Sequence, residues 1–247
     1  MPESTGIKLF TLPCAGSSAA MLYRSWMGAI DSVEVIPLEL PGRGRRFNED
    51  LLSSIPQMVD DLERQIQAYL RPGEEYVLFG HSMGSLLAYE LGLRLSVQQL
   101  YRLSHVFVSA MNPPHIRRAE PLHLKSEDEL IEEIMVMGGT PESFFTENET
   151  RSLFLPIFYA DFHAVETYTV NFPVRKLPCS ITVLTGQQDV LTSSDMKEWE
   201  RYTEVLMSCV FFQGGHFYLT DEEQAVHRLI TDTLSRDRQL TNSDMTY

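Results

Sequence analysis

Apolar residues along this chain follow two rhythms that take turns. Short, mostly apolar runs at residues 7–12, 33–40, 76–79, 105–108, 181–184 and 209–212 are bounded by Gly, Pro or polar residues and are expected to be strands. Between them, Ile55, Met58, Val59, Leu62, Ile66 and Tyr69 recur at helical spacing with charged residues interleaved. Residues 86–95 carry a second helical pattern, and Ala225, Val226, Leu229, Ile230 and Leu234 mark a closing amphipathic helix. Strands alternating with helices predict an α/β fold, a mostly parallel sheet covered on both faces. The polar residues 235–247 are expected to form a C-terminal tail.

One stretch breaks the alternation. From about residue 112 to 172 no strand pattern occurs, far longer than an ordinary connection. Ser126 and Glu129 form a capping box ahead of Leu130, Ile131, Ile134 and Met135, and Gly138-Gly139 closes that helix. A second helical stretch carries Leu153, Phe154, Ile157, Phe158, Phe162 and Val165, with Pro156 as its kink or start. In an open α/β sheet, ligands bind outside the carboxyl ends of the strands, where this connection must lie. The insertion is therefore expected to be a lid on a single domain spanning 1–247. Met135, Met137, Phe154 and Phe158 are its candidate substrate contacts.

Composition narrows the class. The 247 residues are 43% hydrophobic, enough for a sizeable core, and carry a formal net charge of −14 with a pI near 4.9. That balance argues against nucleic acid or an anionic membrane as partner, since both require a basic footprint. Three cysteines, Cys14, Cys179 and Cys209, do not make a disulfide framework, and no Cys/His spacing suggests a metal site. Residues 1–8 lack the basic and apolar regions of a secretory signal, and no apolar run has the length of a membrane span. A cytoplasmic, monomeric enzyme is the simplest expectation.

The chemistry begins at Gly80-His81-Ser82-Met83-Gly84, set between the strand at 76–79 and the helix pattern at 86–95. G-x-S-x-G between strand and helix is a nucleophile elbow. The turn is tight enough to strain the serine and to exclude a Cβ at either glycine. It lifts the hydroxyl to the sheet's carboxyl end, at a helix amino terminus that favours developing negative charge. A serine hydroxyl needs a base, and the α/β-hydrolase order is Ser, then acid, then His. Asp189 follows the 181–184 strand through Thr185-Gly186-Gln187-Gln188; His216 follows the 209–212 strand through Gly214-Gly215. Both therefore emerge at the serine's end of the sheet. Acyl transfer also needs an oxyanion hole. The backbone N–H of Met83 is one expected donor. The other is expected from Pro13-Cys14-Ala15-Gly16-Ser17-Ser18, with Ala15 as the candidate and Cys14, one residue earlier, as the alternative.

Taken together, Pro13-Cys14-Ala15-Gly16, Glu39-Leu40-Pro41-Gly42-Arg43-Gly44 and Gly80-His81-Ser82-Met83-Gly84 resemble the type II thioesterases that accompany nonribosomal peptide and polyketide synthases. Met137-Gly138-Gly139-Thr140-Pro141, Leu155-Pro156, Ala160-Asp161-Phe162, Gly186-Gln187-Gln188-Asp189 and Gly214-Gly215-His216-Phe217 are similar too. Ser17 departs from the second glycine usual there. The resemblance implies an α/β-hydrolase fold with a helical lid, and hydrolysis of misprimed or stalled acyl groups from the phosphopantetheine arm of carrier-protein domains. It implies no cofactor of the enzyme's own: the phosphopantetheine belongs to the acyl or peptidyl carrier. A small carboxylesterase or lipase, or a medium-chain acyl-carrier-protein thioesterase of fatty acid synthesis, would use the same triad, and a silent binding module would not need it. Two basic clusters, Arg45 with Arg46 (following Arg43) and Arg117 with Arg118, are the candidate carrier-docking residues.

Overall fold

The computed structural model describes residues 6–192 and 195–244, with side chains through 239. Six strands form one parallel sheet: β1 (Ile7–Leu12), β2 (Val33–Pro37), β3 (Glu75–His81), β4 (Arg102–Ser109), β5 (Ser180–Gly186) and β6 (Met207–Phe212), in the spatial order β2-β1-β3-β4-β5-β6. The six expected strands are all present, each within a few residues of its expected bounds.

Period-two alternation sends each strand's side chains into two separate cores. Phe10, Leu12, Tyr76, Leu78, Val106, Val108, Ile181 and Val183 face one of them. Helices α2 (Ile55–Gln67) and α3 (Met83–Gln98) cover that side, together with Trp199 and Tyr202. Ile7, Leu9, Val77, Phe79, Phe107 and Leu184 face the other core, which short α1 (Ala19–Leu22), Trp26, α7 (Tyr218–Asp221) and α8 (Glu223–Asp244) cover. Ser54 caps α2 by accepting from the Gln57 N–H, one of the orphan donors of a first turn.

The closing helix does not stop at Leu234. It runs to Asp244, so residues 235–244 of the expected polar tail are helical, and residues 245–247 lie outside those described. Asp237 supplies a reason: its carboxylate sits 2.7 Å from Nδ1 of buried His105 on β4 and ties the extension to the sheet.

Between β4 and β5 lie three helices, α4 (Glu127–Met137), α5 (Ser143–Thr146) and α6 (Asn148–Thr167). The Ser126/Glu129 capping box is formed, and Gly138 ends α4 with φ +79°. Pro156 is interior to α6, neither its start nor its end. Leu122, Leu130, Ile134, Phe145, Leu155 and Phe158 form a third, smaller core within this insertion.

Candidate active site

Parallel register brings the loops that carry the chemistry to one edge. Leu12, the last residue of β1, pairs with Gly80, the first of the elbow. Gly186, the last of β5, pairs with Phe212, the last of β6. The residues after all four strands therefore emerge side by side.

The elbow is held at φ 52° and ψ −122° at Ser82, a conformation that L residues rarely adopt. Its neighbours explain the glycines. A Cβ on Gly80 would stand 1.9 Å from the Gly84 carbonyl oxygen, and one on Gly84 would stand 2.5 Å from that of Leu12. Backbone bonds hold the strained residue: Ser82 N–H donates to the Ser109 carbonyl at 2.7 Å, and Ser85 N–H to the Ser82 carbonyl at 2.8 Å. Buried Ser85, unremarked in the sequence, clamps the turn from below. Its Oγ lies 2.8 Å from the Gly80 carbonyl and 2.9 Å from that of Ser109, and accepts the Ser109 N–H.

Asp189 and His216 meet across the β5 and β6 loops. His216 Nδ1 is 2.9 Å from Asp189 Oδ2, and Asp189 Oδ1 accepts the Leu191 N–H at 2.9 Å. Both side chains are almost wholly buried. The loops themselves interlock: Gln188 N–H donates to the Gly214 carbonyl, Gly214 N–H donates to Gln188 Oε1, and a Cβ on Gly186 would lie 2.2 Å from the Gly215 oxygen. Ser82 and His216 line the same cavity.

In the loop after β1, Gly16 N–H donates to Asp161 Oδ2 and Ser17 N–H to the Cys14 carbonyl. The Ala15 N–H makes no hydrogen bond among the described residues, and neither does that of Met83 at the start of α3. The two expected oxyanion donors are thus open, while the adjoining Gly16 and Ser82 N–H groups are engaged.

Comparison with known proteins decides the family. The model of the thioesterase domain matches residues 7–234. This chain belongs to the thioesterase domain family. It is 34% identical over 239 residues to the "Probable cadicidin biosynthesis thioesterase" of Streptomyces griseus, covering 96% of this chain and 64% of that longer protein. Among solved structures, the ClbQ protein of the colibactin pathway is 30% identical with a TM-score of 0.88, covering 95% of this chain and 99% of its own. The type II thioesterase BorB of the borrelidin biosynthetic cluster is 33% identical with a TM-score of 0.82, covering 94% of this chain and 93% of its own. The fold is that of the α/β-hydrolase thioesterases, and the enzyme is a hydrolase of thioesters.

The thioesterase's cavity, about 410 Å³, runs from Ser82 and His216 beneath the insertion. Leu86, Met111, Phe162, Val165 and Leu191 give it an apolar wall; Arg117, Arg118, Glu133 and Glu166 stand in its more polar part. Of the four expected lid contacts, Met137 lines it. Met135, two residues earlier and so on the other side of α4, faces a shallow groove with Asp128, Ile131 and Arg151. Phe154 packs against Phe144 within the insertion's own core, ring centroids 4.5 Å apart. Phe158 is buried there too, with its ring against Gly16. Phe162 and Val165 are the α6 contacts instead: they extend the stripe of Phe158 by one and two turns, a continuation the helical period itself contains.

The basic clusters differ in their availability. Arg46 is engaged by Asp61, Glu49 and the Glu39 carbonyl, and its outer donors are occupied. Arg118 pairs with Glu133 at 2.6 Å. Arg117 is exposed and bonds the Tyr168 carbonyl and Thr169 Oγ1 beside the cavity. Arg45 is exposed and makes no ion pair among the described residues. Arg43 is not a surface residue: it is buried against Asp161.

Two potential rivals to the serine chemistry are silenced by burial. Desolvation pushes the Cys14 thiol up to about 11, so little nucleophilic thiolate exists at neutral pH. His81 sits with its ring centroid 5.1 Å from that of His216, and its Nδ1 is engaged by Ser109 Oγ at 2.8 Å. Burial first, and the neighbouring His216 second, hold His81 well below the usual histidine range, so it stays neutral beside the site. No helix among the described residues is long and apolar enough to cross a membrane, and no cluster of His, Cys, Asp or Glu among them could hold a metal ion.

Proposed function

We propose that this thioesterase frees acyl groups from the phosphopantetheine arm of carrier-protein domains of a nonribosomal peptide or polyketide synthase, by a Ser82-His216-Asp189 acyl-enzyme mechanism in a single lidded domain. The observation that carries the reading is the buried 2.9 Å His216–Asp189 pair beside an elbow serine that opens into an apolar cavity. The relatives named for biosynthetic pathways support the choice of carrier.

Asp189 accepts from His216 Nδ1–H and so leaves Nε2 free to accept the Ser82 proton. The serine oxygen attacks the thioester carbonyl, a C–O bond forms, and the carbonyl oxygen becomes an oxyanion facing the Ala15 and Met83 amides. Collapse breaks the C–S bond, and the imidazolium gives its proton to the departing thiolate sulfur. Water, deprotonated by His216, then attacks the acyl carbon; the C–O bond to Ser82 breaks, the acid leaves, and the imidazolium returns the proton to Ser82 Oγ. The apolar wall suits an acyl chain, and the flexible side chains of Met111 and Met137 adapt to several shapes. No cofactor enters these steps, and a cytoplasmic setting fits a substrate carried by a synthase.

A matched pair of acyl compounds, one a thioester of N-acetylcysteamine and one an oxygen ester, tests the leaving group. The expected result is a higher kcat/KM for the thioester; preference for the oxygen ester would favour a carboxylesterase. For carrier docking, Arg45 and Arg117 are the candidates whose charge is least satisfied within the chain, on an enzyme that is itself acidic. Arg45→Glu and Arg117→Glu are expected to raise KM for an acyl-carrier protein, more so at low salt, and to spare the N-acetylcysteamine thioester. Equal effects on both substrates, or none, would reject that role.

A further inference from the structure

The insertion is fastened to the oxyanion loop at one buried point. Asp161, in the middle of α6, is fully buried, and Arg43, after β2, is only 3% exposed. Their side chains form a two-pronged pair: Arg43 Nη1 to Asp161 Oδ2 at 2.5 Å and Nη2 to Oδ1 at 2.8 Å. The same Oδ2 accepts the Gly16 N–H at 2.8 Å. Directly beside this, Phe158 of α6 leaves no room for a Cβ on Gly16, which would lie 2.1 Å from its ring. Gly16 itself has φ +75°, so the peptide it shares with Ala15 is held in a turn of defined hand.

The far end of the loop has its own clamp. Glu39, fully buried, accepts from Ser18 Oγ at 2.5 Å and from the Ala19 N–H at 3.0 Å. Two carboxylates from separate elements thus take the Gly16, Ser18 and Ala19 donors and leave the Ala15 N–H open. A fork of charge-assisted bonds fixes direction as well as distance, which suits it to aim a peptide group.

Resting on the serine-hydrolase reading of the site, we propose that Asp161 is a positioning residue of the oxyanion loop, with Arg43 as its anchor. It makes the seating of lid helix α6 a condition for aiming the Ala15 amide at the developing oxyanion. A helix that merely roofed the cavity would need no bond to a catalytic loop. It follows that α6 stays in place through turnover, and that any opening that admits an acyl chain belongs to α4 and α5.

Asp161→Asn is the sharpest probe. Asn offers a single acceptor oxygen and an amide that only donates. With the oxygen toward Gly16, the amide meets Arg43 Nη2; with the oxygen toward Nη2, the amide meets the Gly16 N–H. Either way one donor faces another. Each protein is assayed on the N-acetylcysteamine thioester and with an acyl trifluoromethyl ketone, which adds to Ser82 and places an oxyanion in the hole. Expected for Asp161→Asn is a kcat lower by about 10²-fold, the scale of a small misplacement of a reacting geometry, with KM little changed. The inhibition constant of the ketone should rise in step with the loss in kcat/KM. Arg43→Lys, which keeps the charge but not the fork, should show the same pattern more weakly. It decides the matter by the same two readouts if Asp161→Asn fails to fold. A folded variant with normal kcat, or one whose loss appears without any weakening of ketone binding, would overturn the proposal. Wild-type enzyme that the ketone does not inhibit would instead sink the serine-hydrolase reading itself.

Discussion

Ser82→Ala is expected to lower turnover by about 10⁶-fold while leaving the fold intact, the typical cost of losing a triad nucleophile. The fold should survive because the elbow is held by groups the substitution keeps. Ser82's own N–H and carbonyl bond Ser109 and Ser85, and the close approach of α3 to β3 depends on Gly80 and that of α3 to β1 on Gly84. The backbone strain at φ 52° is present with either side chain. Thermal unfolding should therefore move little, and steady-state turnover of an acyl thioester should all but vanish. Buried Cys14, with its thiol pushed up to about 11, cannot take over the attack. A clean preparation retaining more than about one per cent of wild-type turnover would contradict a 10⁶-fold role for Ser82.

Asp189→Asn is expected to cost about 10⁴-fold in kcat, because it sets the wrong tautomer rather than removing the base. Asp189 accepts at both oxygens, from the Leu191 N–H and from His216 Nδ1. Asn keeps one acceptor. If its oxygen stays on Leu191, the amide donates to His216 Nδ1. The ring proton then moves to Nε2, which can no longer accept from Ser82. Combining Asp189→Asn with Ser82→Ala should lower activity no further than Ser82→Ala alone, since the two act as one unit. Losses that multiply in the double variant, or an Asp189→Asn enzyme of nearly normal kcat, would show that another carboxylate orients the base.

How much of this was legible in the residues depends on the range of the interaction. Strands were legible because burial on both faces of a parallel sheet leaves short apolar runs such as residues 181–184, and the elbow because G-x-S-x-G is a local backbone constraint. Asp189 and His216 lie 27 positions apart, but strand ends in register bring them together, so their place after β5 and β6 sufficed. The lid contacts were harder. Met135 and Met137 look alike in composition, and only the rotation of α4 about its axis sends one to the cavity and the other to the outer groove. Arg43 looked like a member of a surface cluster with Arg45 and Arg46. Its partner Asp161 is 118 positions away on α6, and no local pattern announces such a pairing. The helical reach of residues 235–244 was hidden for the same reason: Asp237 belongs to a polar stretch, yet it bonds His105 across 132 positions.

The most direct measurement is intact-protein mass spectrometry of an acyl-loaded carrier protein incubated with catalytic amounts of the enzyme. The account predicts that the wild-type enzyme strips the acyl mass and returns the carrier with its phosphopantetheine thiol free, whereas Ser82→Ala leaves the carrier acylated. A carrier that stays loaded with fully active wild-type enzyme, or one unloaded equally by Ser82→Ala, would contradict it.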